Sequence, residues 1–355
     1  MRVAVLVSGG VDSSVALARL AERGEHELTA FYLKIWLEDE LAALGGQCPW
    51  DEDLRYVRAV CEPLGVPVEV VPLQRAYHER VVARAVAELE AGRTPSPDVY
   101  CNLEIKFGAF LDVIDAVGDG FDRVASGHYA RVHRSGGLAR LMRAPDPVKD
   151  QTYFLSRLRQ GQLARLMFPI GDLDKREVRA RAQRLGLATR DRPDSQGICF
   201  LGRVPYPEFV RSYLGDRPGD IVDIDSGRVL GRHRGLWFHT IGQRKGLGLG
   251  GGPWFVVEKD LGERRLLVAH ADRVASRQRA SFEVDDVHWI AEAPDPGDAL
   301  HAKLRHGPAL TPCHLAPGPG RRLAVTLERP DQGVASGQVA VFYRGEECLG
   351  SGLIA

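Results

Sequence analysis

The stretch Ser8-Gly9-Gly10-Val11-Asp12-Ser13-Ser14 decides the fold. Before it, residues 3–7 (Val-Ala-Val-Leu-Val) are an unbroken apolar run, as a strand buried on both faces requires. After it, Val15, Leu17, Ala18, Leu20 and Ala21 recur with helical spacing until Gly24 stops them. Strand, glycine turn and helix in that order open a βαβ unit. Paired glycines let the backbone come close to a ligand. Exposed amides, serine hydroxyls and a helix N-terminus then suit a phosphate or pyrophosphate. The spacing is not G-x-x-x-x-G-K-[ST], and no lysine stands where it would reach a γ-phosphate. Nor is it G-x-G-x-x-G, which disfavours a nicotinamide cofactor. A tight turn capped by Asp12 or Ser13 is the competing account.

Moving outward, strands are expected at 28–36, 66–71 and 123–126, with helices at 52–64, 76–91 and 103–117. Strands alternating with helices of that length predict an α/β, doubly wound parallel sheet. From Pro205 the texture changes to short β-rich runs at 221–224, 236–240, 254–259 and 265–269. A second set follows at 282–290, 299–305, 312–315, 323–327 and 338–342. The expected organisation is a catalytic domain over 1–203, a small β-rich connector over 204–275 and a C-terminal β-barrel over 276–355.

Lys+Arg and Asp+Glu are equal at 47 each in 355 residues, which taken alone argues against a nucleic-acid partner. The zero is a cancellation. Residues 38–115 hold 15 acidic and 7 basic groups, and residues 131–192 hold 15 basic and 6 acidic. A basic stretch beside an acidic one fits either a polyanion-binding face or solvated helix faces. Six cysteines are too few for a disulfide scaffold. With no apolar stretch of membrane length and no signal-peptide pattern, the expected place is the cytoplasm.

Two cysteines stand in loops rich in small and polar residues. Thr94-Pro95-Ser96-Pro97-Asp98-Val99-Tyr100-Cys101-Asn102 leads into Glu104-Ile105-Lys106-Phe107, and Asp194-Ser195-Gln196-Gly197-Ile198-Cys199-Phe200 lies far downstream. Cys101 near a helix start with Lys106 behind it reads as a nucleophilic thiol or as a buried structural one. Asp98 is placed to donate or accept a proton. Neither cysteine sits at metal-ligand spacing, so no metal site is expected there. As a pair on separate loops they can pass sulfur and close transiently to a disulfide.

The phosphate-loop string resembles that of the N-type ATP pyrophosphatases, which cleave ATP to AMP and pyrophosphate. Further strings narrow the likeness: C-N-x-x-I-K-F at 101–107, G-H-Y-A-R at 127–131, K-D-Q-T-Y-F-L at 149–155, D-S-Q-G-I-C-F at 194–200 and H-T-I-G-Q-R-K-G-L at 239–247. Together they resemble the tRNA-specific 2-thiouridylases. The chain departs from that pattern at Ser96, Leu33 and the Arg305-His306 pair. The resemblance implies ATP, as its Mg²⁺ complex, on Ser8, Gly9, Gly10, Val11, Asp12, Ser13 and Ser14, with adenosine near Leu33 and Gly127. The C2 oxygen of a wobble uridine would be adenylated, with no tightly bound cofactor. Cys199 would take sulfur as a persulfide from a donor protein; its terminal sulfur would reach C2 directly, or Cys101 would free it by forming a transient disulfide with Cys199. Asp98 would handle the proton on the base. Ser96, Pro97, Asp98, Lys106, His128, Lys149, Asp150, Gln151, Arg305, His306 and Gln338 would grip the tRNA. Two rivals make different predictions. A synthetase adenylating a small carboxylate needs neither tRNA nor Cys199, and a nucleotide-sensing RNA-binding protein releases no AMP.

Overall fold

The computed structural model describes residues 1–35, 50–116, 118, 120–194 and 204–355. Its first half contains strands β1 (Arg2–Leu6), β2 (Glu27–Lys34), β3 (Val68–Pro72), β4 (Arg123–Ser126), β5 (Ala130–Ser135), β6 (Leu138–Arg143) and β7 (Leu166–Met167). Five of them form a parallel sheet in the order β3-β2-β1-β4-β7. Because strand side chains alternate between faces, the apolar run of β1 feeds two cores. Val3, Val5 and Val7 pack with helix α1 (Val11–Arg23) and with α2 (Trp50–Cys61) on one side. Ala4 and Leu6 join the opposite core, with Ile105, Phe107 and Phe110.

That second core is built on two helices that widen along their length. Helix α3 runs as Gln74–Tyr77, a π segment His78–Val82, then Ala83–Glu90. Helix α4 runs as Pro97–Tyr100, a nine-residue π segment Cys101–Ala109, then Phe110–Ala116. Sequence periodicity places α4 at 103–117, whereas the structure starts it at Pro97, the residue type favoured in a first helical turn. Cys101 therefore opens the π segment and belongs to a helix. Insertions of this kind are frequent at functional sites.

The β5–β6 hairpin was not expected. Its strands carry Arg131, His133, Arg134 and Arg140, which obscure any apolar alternation. The turn is nonetheless written in the sequence. Gly136 and Gly137 both have positive φ (58° and 78°), as a two-residue hairpin connection requires. Four short helices follow: α5 (Thr152–Leu155), α6 (Gln160–Arg165), α7 (Lys175–Arg184) and α8 (Tyr206–Leu214).

Beyond α8, strands β8 (Gly219–Asp223), β9 (Val229–His233), β10 (Trp254–Asp260) and β11 (Arg265–His270) form a separate sheet, ordered β10-β11-β8-β9. The strand expected at 236–240 is instead a single helical turn, Leu236–Phe238. Trp237 folds back over Gly235, where a Cβ would stand 2.7 Å from the indole ring, so the chain bends there. His239 follows and is buried beside His233, the two rings 5.9 Å apart. Burial, reinforced by His233 and Lys259, lowers the His239 imidazole to about 4. The unfolded chain, with an ordinary value near 6.5, then binds more protons between pH 4 and 6.5. The contribution of His239 is fully present above pH 6.5 and declines as pH falls toward 4. His239→Phe is expected to flatten this acid limb, changing the native-minus-variant difference by about 2 kcal/mol between pH 7 and 5. Denaturant melts across that range check it.

The last six strands are β12 (Arg279–Trp289), β13 (Leu300–Lys303), β14 (Thr311–Pro317), β15 (Leu323–Asp331), β16 (Val339–Arg344) and β17 (Glu347–Ile354). Their order β12-β15-β14-β13-β16-β17 is closed by β12–β17 pairing into a barrel. Strand β17 also pairs with β6 at Cys348↔Leu141 and Glu347↔Met142. The hairpin of the first half thus continues the barrel's sheet. Among the described residues, no helix is long and apolar enough to cross a membrane.

Candidate functional site

Chain order sends β2 and β3 to one side of β1 and β4 to the other. In open α/β sheets ligands bind at such a reversal, outside the carboxyl ends of the strands. Residues 8–14 leave β1 at this point, and Gly127-His128 leave β4 beside them. Gly9 has φ +74°, and a Cβ there would lie 2.7 Å from the Asp53 carbonyl oxygen. The Ser13 and Ser14 hydroxyls donate to the Gly10 carbonyl at 3.1 and 2.8 Å. The Ser8 amide donates to Ser13 Oγ at 3.2 Å. These contacts fold the loop back onto the start of α1. Leu33 lies near the carboxyl end of the adjacent β2, and a Cβ on Gly127 would be 2.6 Å from the Ser13 nitrogen.

A charged cluster lines the loop. The Asp12 carboxylate accepts from Lys175 Nζ (2.7 and 2.9 Å) and from the Tyr129 hydroxyl (2.7 Å). Burial and the Asp12 charge push the Tyr129 hydroxyl far up, so it stays a protonated donor. Lys175 is presented by the Asp174/Glu177 capping box that starts α7. It also reaches Asp194 at 2.8 Å. Asp194 is further held by Lys149 at 2.7 Å and Arg179 at 2.5 Å. Burial raises its carboxyl, but the hydrogen bonds from Lys149 and Lys175 outweigh that and hold it far below the usual carboxylate range. Arg192 donates to the Gly9 carbonyl (2.7 Å) and pairs with Asp53 (2.5 Å). Sequence reading missed Lys175, Tyr129, Arg192 and Asp53. The capping box and the scarcity of lysine in an arginine-rich chain were the available signals for Lys175.

Across from the loop, His128 is tied to Ser126, with Nδ1 2.8 Å from Oγ, and stands 5.8 Å from the Phe107 ring. Burial, with the Lys106 charge, holds its imidazole well below the ordinary value. Asp98 is shifted the opposite way: burial raises its carboxyl, and Lys106 opposes the rise. Asp98 and Lys106, on the helix that carries Cys101, therefore share one electrostatic neighbourhood with His128. Cys101 itself is 2% exposed. Ser96 hydrogen-bonds the Tyr153 hydroxyl, and the Thr94 amide donates to Ser336 of the barrel. A groove is lined by Arg84, Glu88, Pro95, Ser96, Pro97 and Gly337, among others. Cys199 and the rest of its loop lie outside the described residues, and so does its pairing with Cys101.

The K-D-Q string divides among three partners. Lys149 goes to Asp194, and Gln151 is locked to the Tyr129 backbone by bonds of 3.0 and 2.9 Å. Asp150 needs correction as a tRNA contact. Its side chain is 0% exposed, paired with Lys303 and Arg143, and has no surface to offer. On the barrel, Arg305 makes a two-pronged pair with Asp331 and the His306 ring stacks on Phe154 at 4.8 Å. Gln338 is half-buried at the start of β16. The basic stretch at 131–192 is largely neutralised in the fold. Arg131 pairs with Glu346, Arg140 with Glu292 and Glu347, Arg157 with Asp286, and Arg165 with Asp115.

Family models match the chain in three consecutive segments. A tRNA methyl transferase HUP domain covers residues 1–203, a tRNA methyl transferase PRC-barrel domain 207–270, and an aminomethyltransferase beta-barrel domain 279–354. A tRNA-specific 2-thiouridylase of Bacteroides thetaiotaomicron is 45% identical over 360 residues, covering 100% of this chain and 99% of that protein. One from Porphyromonas gingivalis is 45% identical over 365 residues, with the same coverage. One from Parabacteroides distasonis is 42% identical over 364 residues, again covering 100% of this chain and 99% of that protein.

Proposed function

The chain belongs to the tRNA-specific 2-thiouridylase family, and from that premise we propose how its site works. The protein is an ATP-dependent sulfurtransferase acting on a tRNA uridine. The observations that carry the site reading are a glycine loop at the sheet's reversal point, in contact with Gly127, and next to Gly127 the His128 ring, 5.8 Å from Phe107 on the helix that carries Asp98 and Cys101. Two of the matching family models bear methyl-transfer names, but the full-length relatives are 2-thiouridylases, and a glycine loop at a helix start suits adenylation.

ATP enters as its magnesium complex, the ion carried by the phosphates. Residues 8–14 hold the phosphates on amides and the α1 N-terminus, with Lys175 beside them and adenosine near Leu33 and Gly127. The uridine C2 oxygen attacks the α-phosphorus, and pyrophosphate leaves. A poor leaving group has become AMP. Cys199, charged as a persulfide by a donor protein, then delivers its terminal sulfur to C2 as the C–O bond to AMP breaks. Cys101 attacks Cys199 to free that sulfur, leaving a Cys101–Cys199 disulfide. Asp98, raised by burial, takes and returns the proton on the base. The base must leave its stack to reach this pocket, so the tRNA has to be gripped around it. Ser96, Pro97, Lys106, His128, Lys149, Gln151, Arg305, His306 and Gln338 would supply that grip. The domain limits are placed at 1–203, 204–275 and 276–355, and the protein in the cytoplasm.

The test is direct. Purified protein, ATP, Mg²⁺, a persulfide donor and unmodified tRNA should yield 2-thiouridine with one AMP and one pyrophosphate per thiolated base. Pyrophosphate release that ignores tRNA would overturn this reading in favour of a small-carboxylate substrate.

A further inference from the structure

Resting on the reading that the barrel holds tRNA, we propose that the buried Asp150–Lys303 ion pair is a positioning contact. Through it, the barrel's hold on tRNA sets the geometry of the ATP site. Lys303 ends β13, and its Nζ donates to Asp150 Oδ2 at 2.9 Å with both side chains 0% exposed. The same carboxylate accepts from Thr152 Oγ1 (2.9 Å), Arg143 Nε (3.3 Å) and the Ala144 amide (3.3 Å). Lys303 also lies over the Tyr343 ring, whose hydroxyl is 3.2 Å from Thr152 Oγ1.

A buried ion pair adds little stability over apolar residues of the same volume, because desolvation offsets the attraction. Its best-attested use is fixing register between packed parts. Here the parts are identifiable. The residue before Asp150 bonds Asp194. The residue after it bonds Tyr129 twice, and the Tyr129 hydroxyl donates to Asp12 of the phosphate loop. On the barrel side, residues 303–306 are bound to the same short segment. Tyr153 donates to the Leu304 carbonyl at 3.4 Å, and Phe154 stacks on His306. Residues 149–154 are therefore bound to both halves of the molecule. A displacement of the 303–306 strand end reaches Asp12 through Asp150, Gln151 and Tyr129, without crossing solvent.

The experiment compares native protein with the D150N/K303M double variant, which removes the two buried charges together and leaves only the partly exposed Arg143 without its carboxylate partner. We expect the Kd for tRNA to stay within threefold while kcat for tRNA-dependent pyrophosphate release falls at least tenfold. A kcat within twofold of native, at unchanged tRNA binding, overturns the proposal. If the double variant does not fold, amide exchange on the native protein carries the test. Binding of tRNA without ATP should slow exchange at 150–153 and at Tyr129 at least fivefold, and unchanged exchange there overturns it. Failure of the underlying reading shows separately: Arg305→Glu would then bind tRNA as native protein does.

Discussion

Gly127→Ala is expected to raise the KM for ATP about 100-fold, equivalent to about 3 kcal/mol of lost binding. The reason is space alone. A Cβ at 127 would lie 2.6 Å from the Ser13 nitrogen, 2.7 Å from the Asp12 carbonyl carbon and 2.8 Å from the Ser13 Cα. All three are backbone atoms of the first turn of α1, so no side chain can rotate aside. Relief requires moving the start of α1, whose amides hold the phosphates in the proposed site, or moving the end of β4. Overpacking of this kind costs about 1–3 kcal/mol in the fold itself. A lowered melting temperature should accompany the loss of ATP binding. Gly161→Ala in α6 is the control, since a Cβ there meets nothing within 4 Å. Alanine is also the better helix former. Native stability and native ATP affinity are expected for that control. If Gly127→Ala binds ATP as native protein does, the β1–β4 crevice is not where the nucleotide sits.

The strand, glycine turn and helix around residues 8–14 were legible in the sequence because their determinants are local. Glycines, hydroxyls and a helix start within seven residues need no distant partner to be recognised. The doubly wound sheet was legible for the same reason, through short apolar runs alternating with segments of helical spacing. The K-D-Q string was misread because its meaning lies in its partners. Asp150 and Lys303 are 153 residues apart, and a carboxylate beside a lysine in sequence looks like surface charge until the fold buries it. The β5–β6 hairpin was missed because arginines on its strands pair with acidic groups of the barrel, so polarity there does not mean exposure. The start of α4 was misplaced because its π segment breaks the 3.6-residue spacing on which helix reading depends.

With a persulfide donor, Cys101→Ala and Cys199→Ala are each expected to lower tRNA thiolation about 1000-fold, or about 4 kcal/mol of barrier. Pyrophosphate release should stay within threefold of native in both. The separation follows from what each thiol does. Adenylation of the uridine oxygen uses the phosphate loop and the base pocket, and neither sulfur takes part in it. In the proposed relay, Cys199 carries the persulfide and Cys101 resolves it. Cys101 suits an internal partner, being 2% exposed at the first position of the α4 π segment, three residues beyond Asp98. An external thiol has no easy access to it, so a solution reductant should not replace it. Free sulfide should distinguish the two. It can attack the adenylated base directly and bypass the relay, so part of the activity of Cys199→Ala should return at millimolar sulfide. Asp98→Asn should behave differently, slowing thiolation from either sulfur source, because the proton on the base must move whichever sulfur arrives. The relay is wrong if both cysteine variants keep full activity with the persulfide donor. If Cys101→Ala alone does, the persulfide attacks the base directly and the disulfide step is absent.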